Sequence, residues 1–261
     1  MTTAIRDTIR VDDATIECFV AGSGEPIVML PAAGLEAGYL ADLGRRLADA
    51  GFRTVAINVR GTGASAGTLT DITLHTFAAD VAGVIEGVAD GSAHVLAHGF
   101  SSRIARCLVA DRPDLVRSVV LLGGFGYIER SPEIIRAMQA WFRADATEAE
   151  CLEVMRYEVA DPATAPRVFR ALQRQPAVAA ACLLADRATP ESDWARPSSL
   201  AFLIVQGLED RISPPSSEQT IRDAVGPRAR IAGIPDAGHM LLLEQPDAVG
   251  QAVTTLLRTH A

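Results

Sequence analysis

The sequence contains no lysine, so all 24 basic residues among its 261 positions are arginines. The lysine of a Walker phosphate-binding loop is therefore excluded, and no GxGxxG stretch takes its place. The arginines are scattered among acidic residues, and the net charge is −8. Because no basic patch results, we expect no nucleic-acid partner.

Cysteine is scarce, with only Cys18, Cys107, Cys151 and Cys182. Their spacing matches neither a CxxC pair nor a set of metal ligands, so the sequence predicts no metal site and no cofactor. We expect these four residues to be buried or incidental thiols in a reducing compartment.

Long hydrophobic runs are also missing. No stretch approaches the ~18 apolar residues that a membrane-spanning helix requires. Residues 1–10 mix polar and apolar side chains and lack the charged and then apolar pattern of a signal peptide. We therefore expect a soluble, cytoplasmic protein that does not bind membranes.

The chain has a normal globular balance, with 49% hydrophobic and 21% charged residues. Short apolar runs alternate with helical periodicities as far as residue 122. This alternation predicts an α/β fold with a mostly parallel central sheet and helices on both faces. The predicted strands besides the one that starts at residue 94 are 5–11, 14–20, 26–30, 54–58, 116–122, 200–206 and 229–234, and the predicted helices are 35–50, 74–88 and 246–259.

The pattern changes between residues 126 and 196, where helical segments follow one another without a good strand. We therefore predict a core made of residues 1–125 and 197–261, interrupted by a helical insertion at 126–196. The helical segments within the insertion are 132–143, 148–159, 168–172 and 178–184.

A sharp turn crowded with small residues follows the strand that starts at His94. The sequence Ala97-His98-Gly99-Phe100-Ser101 fits the small-x-nucleophile-x-small pattern of a nucleophile elbow, in which a strand turns abruptly into a helix. Gly99 then stands at the nucleophile position and has no side chain that could attack. The alternative is a displaced nucleophile at Ser101 or Ser102.

Two motifs near the end of the chain supply an acid and a base. Gly207-Leu208-Glu209-Asp210-Arg211-Ile212-Ser213-Pro214 follows a predicted strand, and Gly238-His239 precedes Glu244-Gln245-Pro246. With the turn at Gly99 and the loop 58–65, these motifs resemble the α/β-hydrolase superfamily, with the usual serine replaced by glycine.

The resemblance implies an α/β-hydrolase fold, in which the helical insertion is a cap over the active site. It implies that Asp210, rather than its neighbour Glu209, is the acid of the triad and that His239 is the base. The backbone N–H groups of Ala33 and Phe100 then form the oxyanion hole. The loop at 58–65 and His98 have structural roles. Aromatic residues of the cap are candidates for lining the pocket, namely Trp141, Phe142, Tyr157 and Trp194.

Without a serine, the His239–Asp210 pair leaves three functions open. In the first, which we favour, the pair activates water directly against a small carbonyl substrate, an ester or a lactone. In the second, the pair is the general base of a cofactor-free lyase, cyclase or oxygenase. In the third, the protein is a non-catalytic binder of small molecules. The partner in each case is a small molecule, and the sequence leaves a homodimer open.

Overall fold

A computed structural model describes residues 4–89, 91–124 and 130–259. Eight strands form one sheet in the order β1-β2-β4-β3-β5-β6-β7-β8. β2 runs antiparallel to both β1 and β4, and the other neighbours are parallel. The strands are β1 (Ile5–Val11), β2 (Ala14–Gly22), β3 (Pro26–Leu30), β4 (Arg53–Ile57), β5 (Ala93–His98), β6 (Val116–Leu122), β7 (Ala201–Gly207) and β8 (Ala229–Ile234).

Helices follow most of the parallel strands and cover both faces of the sheet. α2 and α3 belong to the apolar core on one face, and α1 and α11 to the core on the other. The helices are α1 (Ala41–Asp49), α2 (Leu74–Val88), α3 (Ser101–Asp111), α4 (Pro132–Trp141), α5 (Glu148–Glu158), α6 (Ala165–Arg170), α7 (Pro176–Ala188), α8 (Glu191–Trp194), α9 (Glu218–Val225), α10 (Leu241–Glu244) and α11 (Pro246–Arg258), with single helical turns at Ala37–Leu40, Pro113–Leu115 and Pro162–Thr164.

The apolar runs of the sequence form the central strands because those strands are covered on both faces. All six residues of β5 and all seven residues of β7 are buried. β1 lies at one edge and is mostly exposed, which suits its alternation of polar and apolar residues. The predicted α/β-hydrolase architecture, with a mostly parallel sheet flanked by helices, is confirmed.

One prediction of a helix needs correction, and one helix of eight residues was not predicted. The helix predicted at 35–50 is divided into a turn at Ala37–Leu40 and α1. α9 was not predicted, although its signals were present: the Ser217 side chain accepts a hydrogen bond from the Thr220 amide, and Ile221 is buried four residues after it.

The described residues between β6 and β7 form α4 to α8 and connecting loops, as the change in pattern indicated. The division into core and cap remains a prediction, and its first boundary, at residues 125 and 126, lies outside the described residues. None of the helices in the described ranges is long and apolar enough to span a membrane.

The loop at 58–65 is held by buried polar contacts. Arg60 makes two hydrogen bonds to the carboxylate of Asp80, at 2.7 and 2.8 Å, and both side chains are buried. Ser65 donates to the carbonyl of Asn58 at 2.7 Å. These contacts fix a tight loop against α2. No residue of this loop lines the cavity beside Gly99 and His239.

Candidate active site

Gly99 forms the sharp turn between β5 and α3. Its φ of +55° lies in the left-handed region, which glycine adopts without a steric penalty. Its amide donates to the carbonyl of Leu122 at 2.9 Å, which ties the turn to β6. A Cβ atom built on Gly99 would lie 2.9 Å from Nε2 of His239. The backbone of Gly99 therefore lies so close to His239 that the side chain of any other residue would contact the imidazole ring.

The two serines after Gly99 hold the turn in place. The hydroxyl of Ser101 donates to the carbonyl of Pro31, and the hydroxyl of Ser102 donates to the carbonyl of Gly99 at 2.7 Å. Ser101 is 2% exposed and does not line the cavity, whereas Ser102 does. Because both hydroxyls are bonded to backbone carbonyls, the contacts favour Gly99, not either serine, as the residue that faces His239.

His239 and Asp210 lie in the loops that follow β8 and β7. Neighbouring parallel strands place these loops at the same edge of the sheet. Nδ1 of His239 lies 2.9 Å from Oδ2 of Asp210. Oδ1 of Asp210 accepts hydrogen bonds from the amides of Ile212 and Ser213, at 2.8 and 2.7 Å. The carboxylate is thereby fixed, and neutral His239 carries its proton on Nδ1 and its lone pair on Nε2.

Opposing influences act on the pKa of His239. Burial disfavours the charged imidazolium, while the charge of Asp210 and its hydrogen bond favour it. The favourable influences are larger, so the pKa of His239 lies above its usual value. Since only the neutral ring can accept a proton, the base is lost as the pH falls through this raised pKa.

A chain of hydrogen bonds connects the backbone of His239 to His98 and Tyr39. Nε2 of His98 donates to the backbone carbonyl of His239 at 2.9 Å. The hydroxyl of Tyr39 donates to Nδ1 of His98 at 2.8 Å and accepts from the amide of Ala32 at 2.8 Å. Burial lowers the pKa of His98 to about 3, so this ring stays neutral. The structural role predicted for His98 agrees with these contacts.

Ala33 and Phe100 line the cavity, one after β3 and the other after Gly99. Within the described residues, neither amide has a hydrogen-bond acceptor. The indole Nε1 of Trp141 donates to the carbonyl of Ala33 at 3.0 Å, which links helix α4 to this loop. Both amides are thus available to a ligand at the position that the sequence predicted for an oxyanion hole.

The cavity has a volume of about 360 Å³ and extends from Gly99 and His239 to the helices of the insertion. Three of the four predicted aromatic residues line it, namely Trp141, Phe142 and Trp194. The prediction for Tyr157 is wrong. Its ring lies beside the guanidinium of Arg211, 5.8 Å from the ring centre, and is not part of the cavity wall.

Five charged residues of the cavity wall were not predicted: Arg103, Arg106, Arg130, Glu158 and Asp186. Burial raises the pKa of Glu158 to about 7, although the charge of His239 opposes the shift. Arg103 and Arg106 are three residues apart on α3, so they share a face of that helix. That spacing was visible in the sequence, but the sequence did not show that the face borders a cavity.

Glu209 and Glu244 bind backbone amides outside the dyad. Glu209 accepts from the amide of Ala237 at 3.0 Å. Glu244 accepts from the amides of Ala160 and Gly238, at 2.7 and 2.8 Å, and so joins the insertion to the loop of His239. Asp210 is therefore the acid bonded to His239. Within the described ranges, no group of three or more His, Cys, Asp or Glu side chains could hold a metal ion.

Comparisons with known proteins agree on the fold. A sequence model of the alpha/beta hydrolase family matches residues 27–252. The chain is 28% identical over 228 residues to a 2-(acetamidomethylene)succinate hydrolase of Mesorhizobium japonicum, covering 81% of this chain and 80% of that protein. It is 25% identical over 217 residues to a Mycobacterium tuberculosis protein that carries the name of a non-heme bromoperoxidase, covering 78% and 82%. A solved thermophilic esterase of Thermogutta terrifontis superposes with a TM-score of 0.82 at 24% identity, covering 98% of this chain and 99% of that one.

Replacing Asp210 by asparagine should lower the pKa of His239, because the charge and the charge-assisted hydrogen bond that favour the imidazolium are lost. The measurement is an NMR titration of the His239 ring in both proteins. Glu209→Gln is the matched control and should leave the titration of His239 near that of the unmodified protein. An unchanged or higher pKa in Asp210→Asn would contradict the assigned electrostatics.

Proposed function

The chain belongs to the alpha/beta hydrolase family, and on that premise we propose that it hydrolyses a small ester or lactone by direct attack of water. Gly99 takes the nucleophile position of the family, and His239 with Asp210 activates the water. The observation that carries this proposal is the distance of 2.9 Å between Nε2 of His239 and the point where a side chain at residue 99 would begin.

In the proposed reaction, the neutral form of His239 acts as the base. Asp210 holds the proton on Nδ1 of His239 through the hydrogen bond of 2.9 Å, which leaves the lone pair on Nε2 at the cavity wall beside Gly99. A water molecule at Nε2 takes the place that a serine Oγ would occupy. Nε2 accepts one proton of that water while its oxygen bonds to the substrate carbonyl carbon.

The negative charge that develops on the carbonyl oxygen needs hydrogen-bond donors. The amides of Ala33 and Phe100 supply two donors that have no acceptor among the described residues, so they need not leave another partner. When the tetrahedral intermediate collapses, the imidazolium of His239 returns its proton from Nε2 to the departing alkoxide. The products are a carboxylic acid and an alcohol, or a hydroxy acid from a lactone, and no acyl group is attached to the protein.

The comparisons bear on the choice among the three functions that the sequence left open. The relatives are named as hydrolases, esterases and a bromoperoxidase, which supports an enzyme over a binding protein. Most of these names denote hydrolysis, which favours hydrolysis over proton abstraction from carbon. The cavity of about 360 Å³ limits the substrate to a small molecule.

His239→Ala should reduce turnover by about 10²- to 10⁴-fold, because the general base is removed. Binding of a product should stay within about 10-fold. The measurement combines kinetics on the best substrate from a panel of esters and lactones with calorimetry on its product. Ser101→Ala is the control and should retain activity, since its hydroxyl binds Pro31. If Ser101→Ala lost activity and His239→Ala did not, the result would contradict the proposal and indicate Ser101 as the nucleophile.

Gly99→Ala should lose activity by about 100-fold or more, because its methyl group would meet Nε2 of His239 at 2.9 Å and displace the base or the water. The left-handed φ of +55° adds a stability cost of about 1–2 kcal/mol. Kinetics and thermal unfolding measure the two effects separately. The matched control is Gly38→Ala, where no atom lies within 4 Å of the added carbon. Unaltered turnover in folded Gly99→Ala would show that the reaction does not use the space beside Gly99.

A further inference from the structure

One side of the cavity is lined by arginines. Arg103 and Arg106 project from α3, and Arg130 precedes α4. Arg130 interacts electrostatically with Arg103 and also with His239 and Asp210, so the positive region extends to the dyad. The whole chain, by contrast, has a net charge of −8.

The acidic residues of the cavity wall compensate these charges only in part. Asp186 of α7 pairs with Arg103. Burial raises the pKa of the other acid, Glu158, to about 7, which weakens its negative charge at neutral pH. Arg106 and Arg130 have no hydrogen bond to a carboxylate within the described residues.

Arg106 is the more deeply buried of these two. It is 6% exposed, and its Nη2 donates to the backbone carbonyl of Ala224 at 2.9 Å. Its Nε is buried without a partner in the described part of the chain, and its guanidinium lies 5.1 Å from the centre of the Trp194 ring. Burial lowers the pKa of Arg106 to about 10, although the charge of Glu191 opposes the shift.

A ligand in the cavity can reach Arg130. It is half-buried and lines the cavity, and its Nε donates to the backbone carbonyl of Ile212. That bond orients the guanidinium and leaves its two terminal nitrogens without a partner among the described residues. Two parallel N–H donors fit the two oxygens of a carboxylate in a bidentate pair.

We propose that the substrate carries a carboxylate group, and that this carboxylate binds the terminal nitrogens of Arg130 on the side of the cavity that Arg103 and Arg106 make positive. The proposal rests on the proposed function for the position of the reacting carbonyl, which lies beside His239. The carboxylate supplies the negative charge that the cavity wall lacks, and the apolar wall around Phe142 and Trp194 contacts the carbon skeleton.

The test compares two probes of almost equal shape, 4-hydroxybenzoate and its neutral amide, 4-hydroxybenzamide. Isothermal titration calorimetry should show the carboxylate binding about 10- to 100-fold more tightly than the amide, which is the range for a hydrogen bond to a charged group. Arg130→Gln should remove most of this preference. Arg187→Gln, at an exposed arginine of α7 that does not line the cavity, should leave it unchanged.

Equal affinities for the two probes in the unmodified protein would overturn the proposal, and so would a preference that survives in Arg130→Gln. Thermal unfolding shows whether Arg130→Gln is folded. If it is not, Arg130→Lys is measured instead, because it keeps the charge but cannot form the bidentate pair. A preference for the carboxylate that is undiminished in Arg130→Lys would then contradict the assignment.

Turnover separates this proposal from the proposed function. The acetyl esters of the two probes, 4-acetoxybenzoate and 4-acetoxybenzamide, are offered as substrates. Hydrolysis of both at equal kcat/KM would support the hydrolase and reject the carboxylate site. Binding of 4-hydroxybenzoate through Arg130 without hydrolysis of either ester would support the carboxylate site and count against the hydrolase.

Discussion

The hydrogen bond between His239 and Asp210 determines what the rest of the site can do. It spans 2.9 Å between loops that follow two neighbouring parallel strands, and it fixes which ring nitrogen carries the proton. Two backbone amides hold the carboxylate on one side. On the other side, His98 and Tyr39 connect the backbone of His239 to the loop that contains Ala32 and Ala33. The base and the candidate oxyanion hole are therefore positioned by one continuous network.

The insertion completes the site through contacts with the same loops. Trp141 binds the carbonyl of Ala33, and Glu244 joins Ala160 to the loop of His239. The insertion also supplies Glu158 and Asp186, and Arg130 lies at its start. The core thus carries Gly99, Asp210 and His239, while the insertion provides much of the charge and the apolar surface around the cavity. Under our proposals, the chemistry belongs to the core and the choice of substrate to the insertion.

Much of the fold was predictable because the apolar runs were long enough to identify buried strands, and β6 and α2 begin and end where expected. The pairing of Asp210 with His239 was predictable because each follows a strand within a recognisable motif. The position of Arg103 and Arg106 in the cavity wall was not predictable, because a sequence does not show whether a guanidinium on α3 faces solvent or a cavity closed by α7 and α8. Tyr157 was assigned wrongly for the same reason, since the side of α5 that meets the cavity depends on tertiary packing.

The most direct test of direct water attack is the mass of the intact protein after rapid acid quenching during turnover of a short-chain aryl ester. Without a nucleophile at residue 99, no acyl group should be attached, and the mass should equal that of the untreated protein at every time point. An added acyl mass that forms and decays at the rate of turnover would contradict the account. If that acyl group were located on Ser101 or Ser102, the serine that carries it would be the displaced nucleophile.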